Sequence, residues 1–236
     1  MRHLLFILLI IFQFQFCLEA QKSSLDMNSP NAGFFGLVLG FLNSSVSCSG
    51  DSYCIIFATP VPNGNLAQFD TSGGQNGISG GDAKCQSGAA NAGMNTTYTY
   101  KAIMALAETR TPPFQTSPGI YTPGINWVLY PDKEYRRPDN TLIKKTDSNS
   151  LFIFPLDNSI IVDSNIYSLT GLSVNVSTIT TWNTSPNNCS DWMSTNGGIS
   201  VNYGIGNSAT VNSFSGSGAG ATCSDSTSSV IYCAQQ

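Results

Sequence analysis

Two neighbouring stretches decide the fold class: Tyr53-Cys54-Ile55-Ile56-Phe57-Ala58-Thr59, and Ser79-Gly80-Gly81-Asp82-Ala83-Lys84-Cys85 after a loop. The first is an apolar, β-branched run stopped by Pro60, the pattern of a buried strand. The second opens an alanine-containing segment that continues to Gly93 and predicts one helix. Ser79 stands where an N-cap belongs, Asp82 falls in the first turn near the positive helix end, and Gly93 is a stop signal. The connection over 62–77 is rich in Gly, Asn and Asp. A strand joined in this way to a single helix begins an α+β domain.

Downstream the chain predicts short strands and long connections. Tyr98 to Leu106 carries strand-formers, and 111–124 is a proline-rich connection. Trp127 to Tyr130 reads as a strand, and Glu134 to Lys145 as a hairpin turning at Pro138-Asp139-Asn140. Further strands are expected at Leu151–Phe154, Ile160–Val162 and Val174–Trp182. From Ser185 to Ser229 the chain is mostly Ser, Gly, Asn and Thr, with Trp192, Tyr203 and Phe214 as scattered anchors. Ser229 to Cys233 closes the domain as a last strand. No period recurs, which excludes a solenoid.

Upstream, residues 1–20 read as an export signal. Arg2 and His3 precede the apolar run Leu4 to Phe16, which is shorter than the ~20 residues a bilayer span takes. Cleavage after Ala20 would release the chain, whereas lipidation of Cys17 would anchor it. Residues 21–46 read as a polar tether followed by an apolar segment, and 47–236 as one domain. The expected destination is the outer membrane, the cell surface or the medium.

Charged residues make up only 10% of the 236, with a formal net charge of −4 and a pI near 4.7. Nucleic acid requires clustered cations, so that class of partner is excluded. His3 is the only histidine. Once the signal is removed, histidine-dependent triads and histidine metal sites are excluded as well. Without Cys17, the cysteines are Cys48, Cys54, Cys85, Cys189, Cys223 and Cys233, an even set with no Cys-x-x-Cys. In an exported chain that parity argues for disulfides. Cys48 and Cys54 flank a turn-rich stretch that could close a small loop, while spacing leaves the other pairings open.

Several segments in order resemble the leptospiral endostatin-like outer-membrane proteins, a lectin-like group. They are Ile55-Ile56-Phe57-Ala58-Thr59 with Asn63-Gly64-Asn65-Leu66, Gly80-Gly81-Asp82-Ala83-Lys84-Cys85, Asn188-Cys189-Ser190-Asp191-Trp192, and Ile231-Tyr232-Cys233-Ala234-Gln235-Gln236. Trp127-Val128-Leu129 and the Tyr135 to Asn140 hairpin fit the same pattern. The resemblance spans 53–236. It implies a single domain of the C-type-lectin/endostatin-like kind, with one main helix, many short antiparallel strands, long loops and nested disulfides. It pairs Cys85 with Cys233 and Cys189 with Cys223, leaving Cys48 with Cys54. It also implies binding of host extracellular-matrix proteins or complement regulators, with a carbohydrate-binding lectin as the alternative.

The remaining chemistry is sparse. Gly77-Ile78-Ser79-Gly80-Gly81 matches G-x-S-x-G, but a polar loop precedes it, and helix capping is the expected role of Ser79. The pairs Asp132/Glu134 and Asp157/Asp163 read as solvated turn acids rather than glycosidase carboxylates. Tyr130-Pro131-Asp132, Arg137-Pro138-Asp139 and Trp182-Asn183-Thr184 are near misses to lectin calcium loops. No enzyme activity, metal or other cofactor is expected, and the membrane is reached only through a lipid on Cys17. Ligand contact is expected at Tyr203 and Phe214 on a loop pinned by Cys189–Cys223. The runner-up is the hairpin bearing Arg136 and Arg137, whose cations are interleaved with acids.

Overall fold

The structure, a computed structural model, describes residues 48–71, 76–117, 119–163, 166–176, 180–216, 222–224 and 228–236. The signal at 1–20, Cys17, and the tether and apolar segment at 21–46 lie outside these residues. Those described belong to one compact unit, Ser45–Gln236. In chain order they form β1 (Tyr53–Pro60), helix α1 (Gly77–Asn91), β2 (Tyr100–Ala102), β3 (Phe114–Ser117) and β4 (Ile120–Thr122). Then come β5 (Glu134–Arg136), β6 (Leu142–Lys145), β7 (Tyr167–Leu169), β8 (Leu172–Val176), β9 (Thr180–Thr184), β10 (Tyr203–Ile205) and β11 (Ser229–Gln235). The architecture is α+β.

The central pair is β1 against β11, antiparallel, with Ile56 opposite Ala234 and Thr59 opposite Ile231. The outer edge of β1 takes β5 in parallel, and β5 folds back on β6. The outer edge of β11 is shared between β2, antiparallel at its C-terminal half, and β7, parallel at Ser229–Val230. β10 then extends β7. The sheet is therefore mixed, mostly antiparallel with the β1–β5 and β11–β7 pairs parallel, because both termini of the domain are threaded into its middle. Two separate hairpins, β3–β4 and β8–β9, lie off this sheet.

Strand alternation builds two cores, one on each sheet face. Phe57, Ile231, Cys233 and Ala102 share one core with Ile78, Cys85 and Ala89 of α1. Ile56, Tyr232 and Ala234 share the other with Tyr135, Phe152, Trp182 and Phe214. The helix approaches β1 closely at Gly88, where a Cβ would stand 2.6 Å from Thr59 Oγ1 and 3.3 Å from the Phe57 ring. Disulfide Cys85–Cys233 joins the same helix to β11, Cys48–Cys54 closes the entry to β1, and Cys189–Cys223 ties the glycine-rich return. These are the pairs the resemblance implies.

Several expectations are corrected. Asn76, not Ser79, caps α1, its side chain accepting the Ile78 amide, so the helix starts earlier than expected. Asp82 then lies beyond the first turn, where it holds the buried Arg110 through two 2.7 Å bonds. Trp127–Tyr130 is not a strand, because side chains satisfy its backbone. Gln236 Nε2 donates to Val128 O, and Tyr130 N donates to the Tyr135 hydroxyl. Ile160–Val162 is likewise irregular, and Leu151–Phe154 makes one isolated bridge, Phe152 to Thr146. The run Val174–Trp182 belongs to the two strands β8 and β9, with Val174 opposite Trp182. Phe214 is not a ligand contact. It is 0% exposed, packed between Trp182, Phe152 and Tyr232, because the 3-10 turn Val211–Ser213 delivers it into the core.

Cys189–Trp192 carries no helical signal in the sequence, yet it forms a single helical turn whose four residues all have positive φ. A left-handed turn costs roughly 1–2 kcal/mol per L-residue, so it must be over-determined. Asn188 Oδ1 accepts the Asp191 amide, the Cys189–Cys223 disulfide fixes one end, and the buried Trp192 indole donates to Ala105 O at 3.1 Å. Gly77 leaves room for it: a Cβ there would stand 2.2 Å from that of Trp192.

Candidate functional site

α1 covers only part of its sheet face, and the part it leaves open forms a cleft. Tyr53, Ile55, Phe57 and Thr59 alternate onto this face. Phe57 and Thr59 are buried under the helix, whereas Tyr53 and Ile55 are half-exposed beyond its C-terminal end. Gln235 and Tyr100 stand opposite each other on the same face of β11 and β2. Past Asn91 the chain leaves the helix through Gly93, at φ 68°, and its Met94–Tyr98 segment forms one wall. Pro138, at the β5–β6 turn, also lines the cleft, whose volume is about 470 Å³.

Its polar groups come from three segments. Asp51 Oδ2 accepts the Tyr98 hydroxyl at 2.8 Å, and this bond raises the Tyr98 pKa above its ordinary value. Asn95 Oδ1 accepts the amide and hydroxyl of Thr97, and its backbone oxygen accepts the Tyr100 hydroxyl. Gln235 is 5% exposed. Its Oε1 accepts the Ile55 amide at 3.0 Å. Lys133 Nζ donates to the backbone oxygens of Ser49 and Asp51 and fixes the loop that carries the carboxylate.

The residues expected to touch ligand are dispersed. Arg136 borders the cleft, its guanidinium 4.8 Å from the Tyr53 ring centre, but it is held by Glu134 at 2.8 Å and by Asn140. Arg137 binds Asp139 and the Ser159 oxygen. Tyr203 is half-buried at the far edge of the sheet, edge-on to Tyr167 at 5.1 Å. Ser79 of the G-x-S-x-G match donates to Asp70 Oδ2 and to Asn76 O, which leaves it a role at the helix entry. Asp157 pairs with Lys144. Asp139 is held below the usual carboxylate range by the Thr141 backbone amide, then by the Thr141 hydroxyl and Arg137. Among the described residues no three His, Cys, Asp or Glu side chains gather as a metal site would require, and no helix is long and apolar enough to cross a membrane.

Sequence reasoning missed Asp51, Tyr53, Asn95 and Tyr98. A signal was there: Tyr53 and Gln235 occupy face positions where a covered strand would carry aliphatic side chains. Only the length of α1 reveals that the face is open.

A family model for a protein of unknown function, DUF1554, matches residues 68–211. The chain belongs to the DUF1554 family. No curated protein and no solved structure matches it. The matched span of this DUF1554 chain runs from the loop before α1 through β10, so it holds the Met94–Tyr98 wall and the β5–β6 turn but not β1 or β11. Three disulfides in a DUF1554 domain of this size are compatible with an extracellular protein.

Proposed function

We propose that this chain is an exported binding protein, lipid-anchored at Cys17 or released after Ala20, that displays a C-type-lectin/endostatin-like domain at the cell surface. Its ligands are host extracellular-matrix proteins or complement regulators, as the resemblance to the leptospiral endostatin-like proteins implies, and its role is adhesive rather than catalytic. One observation carries the reading: Cys85–Cys233 locks α1 onto the small mixed sheet, and Cys189–Cys223 ties together two of the long irregular connections. A rigid frame that presents loops suits recognition.

The test is surface plasmon resonance of the full chain, recovered after export, against immobilised matrix proteins and complement regulators. Saturable binding that disappears after reduction and alkylation is expected. Binding that is absent throughout, or equal for the reduced chain, defeats the proposal. Two surfaces are then separated by variants. Tyr203→Ala lowers affinity if the β10 edge makes contact. Arg136→Ala with Arg137→Ala lowers it, along with its salt sensitivity, if the hairpin does.

A further inference from the structure

We infer that a second, smaller pocket, beside the β3–β4 hairpin, receives a tyrosine side chain of a polypeptide ligand. The inference takes from the binding role above only that the ligand is a polypeptide. The pocket measures about 130 Å³ and is lined by Tyr121, Asp147, Leu151, Phe152, Ile153 and Trp182. Leu151, Phe152 and Trp182 are buried, Tyr121 and Asp147 are half-buried, and Ile153 is 54% exposed. A largely aromatic floor therefore lies below a rim that reaches the surface.

Trp182 is the decisive group. The indoles of Trp127 and Trp192 donate to Ser150 O at 3.0 Å and to Ala105 O at 3.1 Å. Trp182 is 0% exposed, yet its Nε1 meets no acceptor among the described residues. A buried indole N–H ordinarily finds a partner, and one left unmade has lost its hydration for nothing in return. A second such group stands on the neighbouring hairpin. Gln115 lies opposite Tyr121 in the β3–β4 register, on the same face, and its buried Oε1 also has no partner among the described residues. Asp147, in the pocket wall, accepts the Asn149 and Leu151 amides on Oδ1, whereas its Oδ2 meets Asn149 Nδ2 at a long 3.4 Å.

A phenol suits this combination. An apolar cavity of about 150 Å³ accepts a benzene ring, so the present volume matches one six-membered ring and is small for an indole. The ring packs against aromatic walls, its oxygen accepts from the Trp182 N–H, and its proton finds an acceptor in Asp147 or Gln115. A phenylalanine ring would leave the indole unpaired. Lysine and arginine bring no acceptor, and a carboxylate or phosphorylated ring would set its charge against Asp147. The surroundings favour a polypeptide over a free phenol. Of the seven large apolar side chains exposed among the described residues, Phe114, Ile120 and Ile125 flank Tyr121 in the chain and Ile153 is the pocket rim. Exposed apolar surface of this kind marks contact with a larger partner.

The test follows the indole N–H signals of the isotope-labelled full chain by two-dimensional NMR, with Trp182 assigned through Trp182→Phe. p-Cresol, toluene and N-acetyltyrosinamide are added in turn. p-Cresol and N-acetyltyrosinamide should move the Trp182 indole proton downfield, while the Trp192 signal stays in place and reports an intact fold. Toluene should bind about tenfold more weakly, equivalent to about 1.4 kcal/mol. Tyr121→Ala, on a hairpin outside the main sheet, should weaken p-cresol by a similar factor. The proposal is overturned if p-cresol leaves the Trp182 signal unmoved, if toluene binds equally well, or if Tyr121→Ala binds p-cresol normally. Binding of p-cresol with exclusion of N-acetyltyrosinamide also overturns it, because the ligand would then be a free phenol. The plasmon-resonance assay reads whole proteins and can fail while p-cresol binds, so the two readings fail separately.

Discussion

Asp82 and Arg110 show how one ion pair fixes the helix to the strand and connection after it. The Arg110 side chain is 4% exposed, and its two terminal nitrogens reach both oxygens of Asp82 and the Ala102 carbonyl. Asp82 also accepts the Ala102 amide, so one carboxylate organises α1, β2 and the segment beyond them. Removing one partner of a buried pair strands the other charge, which typically costs 3–5 kcal/mol. Asp82→Ala should therefore lower unfolding stability by about 3 kcal/mol, measured by urea denaturation. Asp82→Ala combined with Arg110→Met should recover part of that loss, because no unpaired charge remains. A double variant less stable than the single one would contradict this. The aromatic core offers a second test at this scale. Phe214→Ala should cost about 3–5 kcal/mol, whereas Tyr203→Ala should cost far less. Equal effects would mean that Phe214 is not the core residue its packing indicates.

At the scale of elements, α1 and the two central strands were legible because their signals are local. An apolar run ended by Pro60, and an alanine-containing stretch ended by Gly93, need no partner to be read. The β5–β6 hairpin was legible for the same reason, with Asn140 at φ 69° in its turn. Trp127–Tyr130 and Ile160–Val162 are apolar enough to pass for strands, but their backbone groups bond to distant side chains or single carbonyls. Hydropathy cannot distinguish that outcome from a ladder. Capping by Asn76 was hidden by Ser79, an equally good capping residue nearby. The cleft was illegible because it depends on where a helix stops relative to a sheet formed by both chain ends. Gly88 tests the helix–sheet contact directly. Alanine in place of glycine stabilises a helix interior by roughly 0.5–1 kcal/mol. Here the new Cβ would lie 2.6 Å from Thr59 Oγ1 and 2.8 Å from its Cβ. Overpacking of this kind costs about 1–3 kcal/mol, so Gly88→Ala should destabilise despite its better propensity. A rise in the thermal midpoint would show that the helix shifts freely on the sheet.

For the whole molecule, burial of phenols sets a limit on the alkaline side. Tyr232 lies at the centre of β11, 0% exposed, and burial pushes its hydroxyl well above the ordinary value of 10.0, with Ser168 opposing slightly. Burial raises Tyr135 in the same way, and the Tyr130 amide that donates to its oxygen opposes the shift. Below about pH 10 both folded and unfolded chains keep these protons, and the phenols add no pH dependence. Above it the unfolded chain releases them while the folded chain does not. The unfolded state is then favoured, and stability falls by about 1.4 kcal/mol per pH unit for each phenol until the folded-state pKa is passed. Other groups titrate in this range, so the decisive quantity is a difference between two proteins. Tyr232→Phe keeps the ring against Phe214 and deletes the proton. Urea midpoints of both chains should run parallel from roughly pH 7 to pH 9 and separate above about pH 10, with the phenylalanine variant the more stable. Curves that stay parallel to roughly pH 11 would mean that Tyr232 ionises in the folded state as readily as in the unfolded one, and that this sheet face admits water.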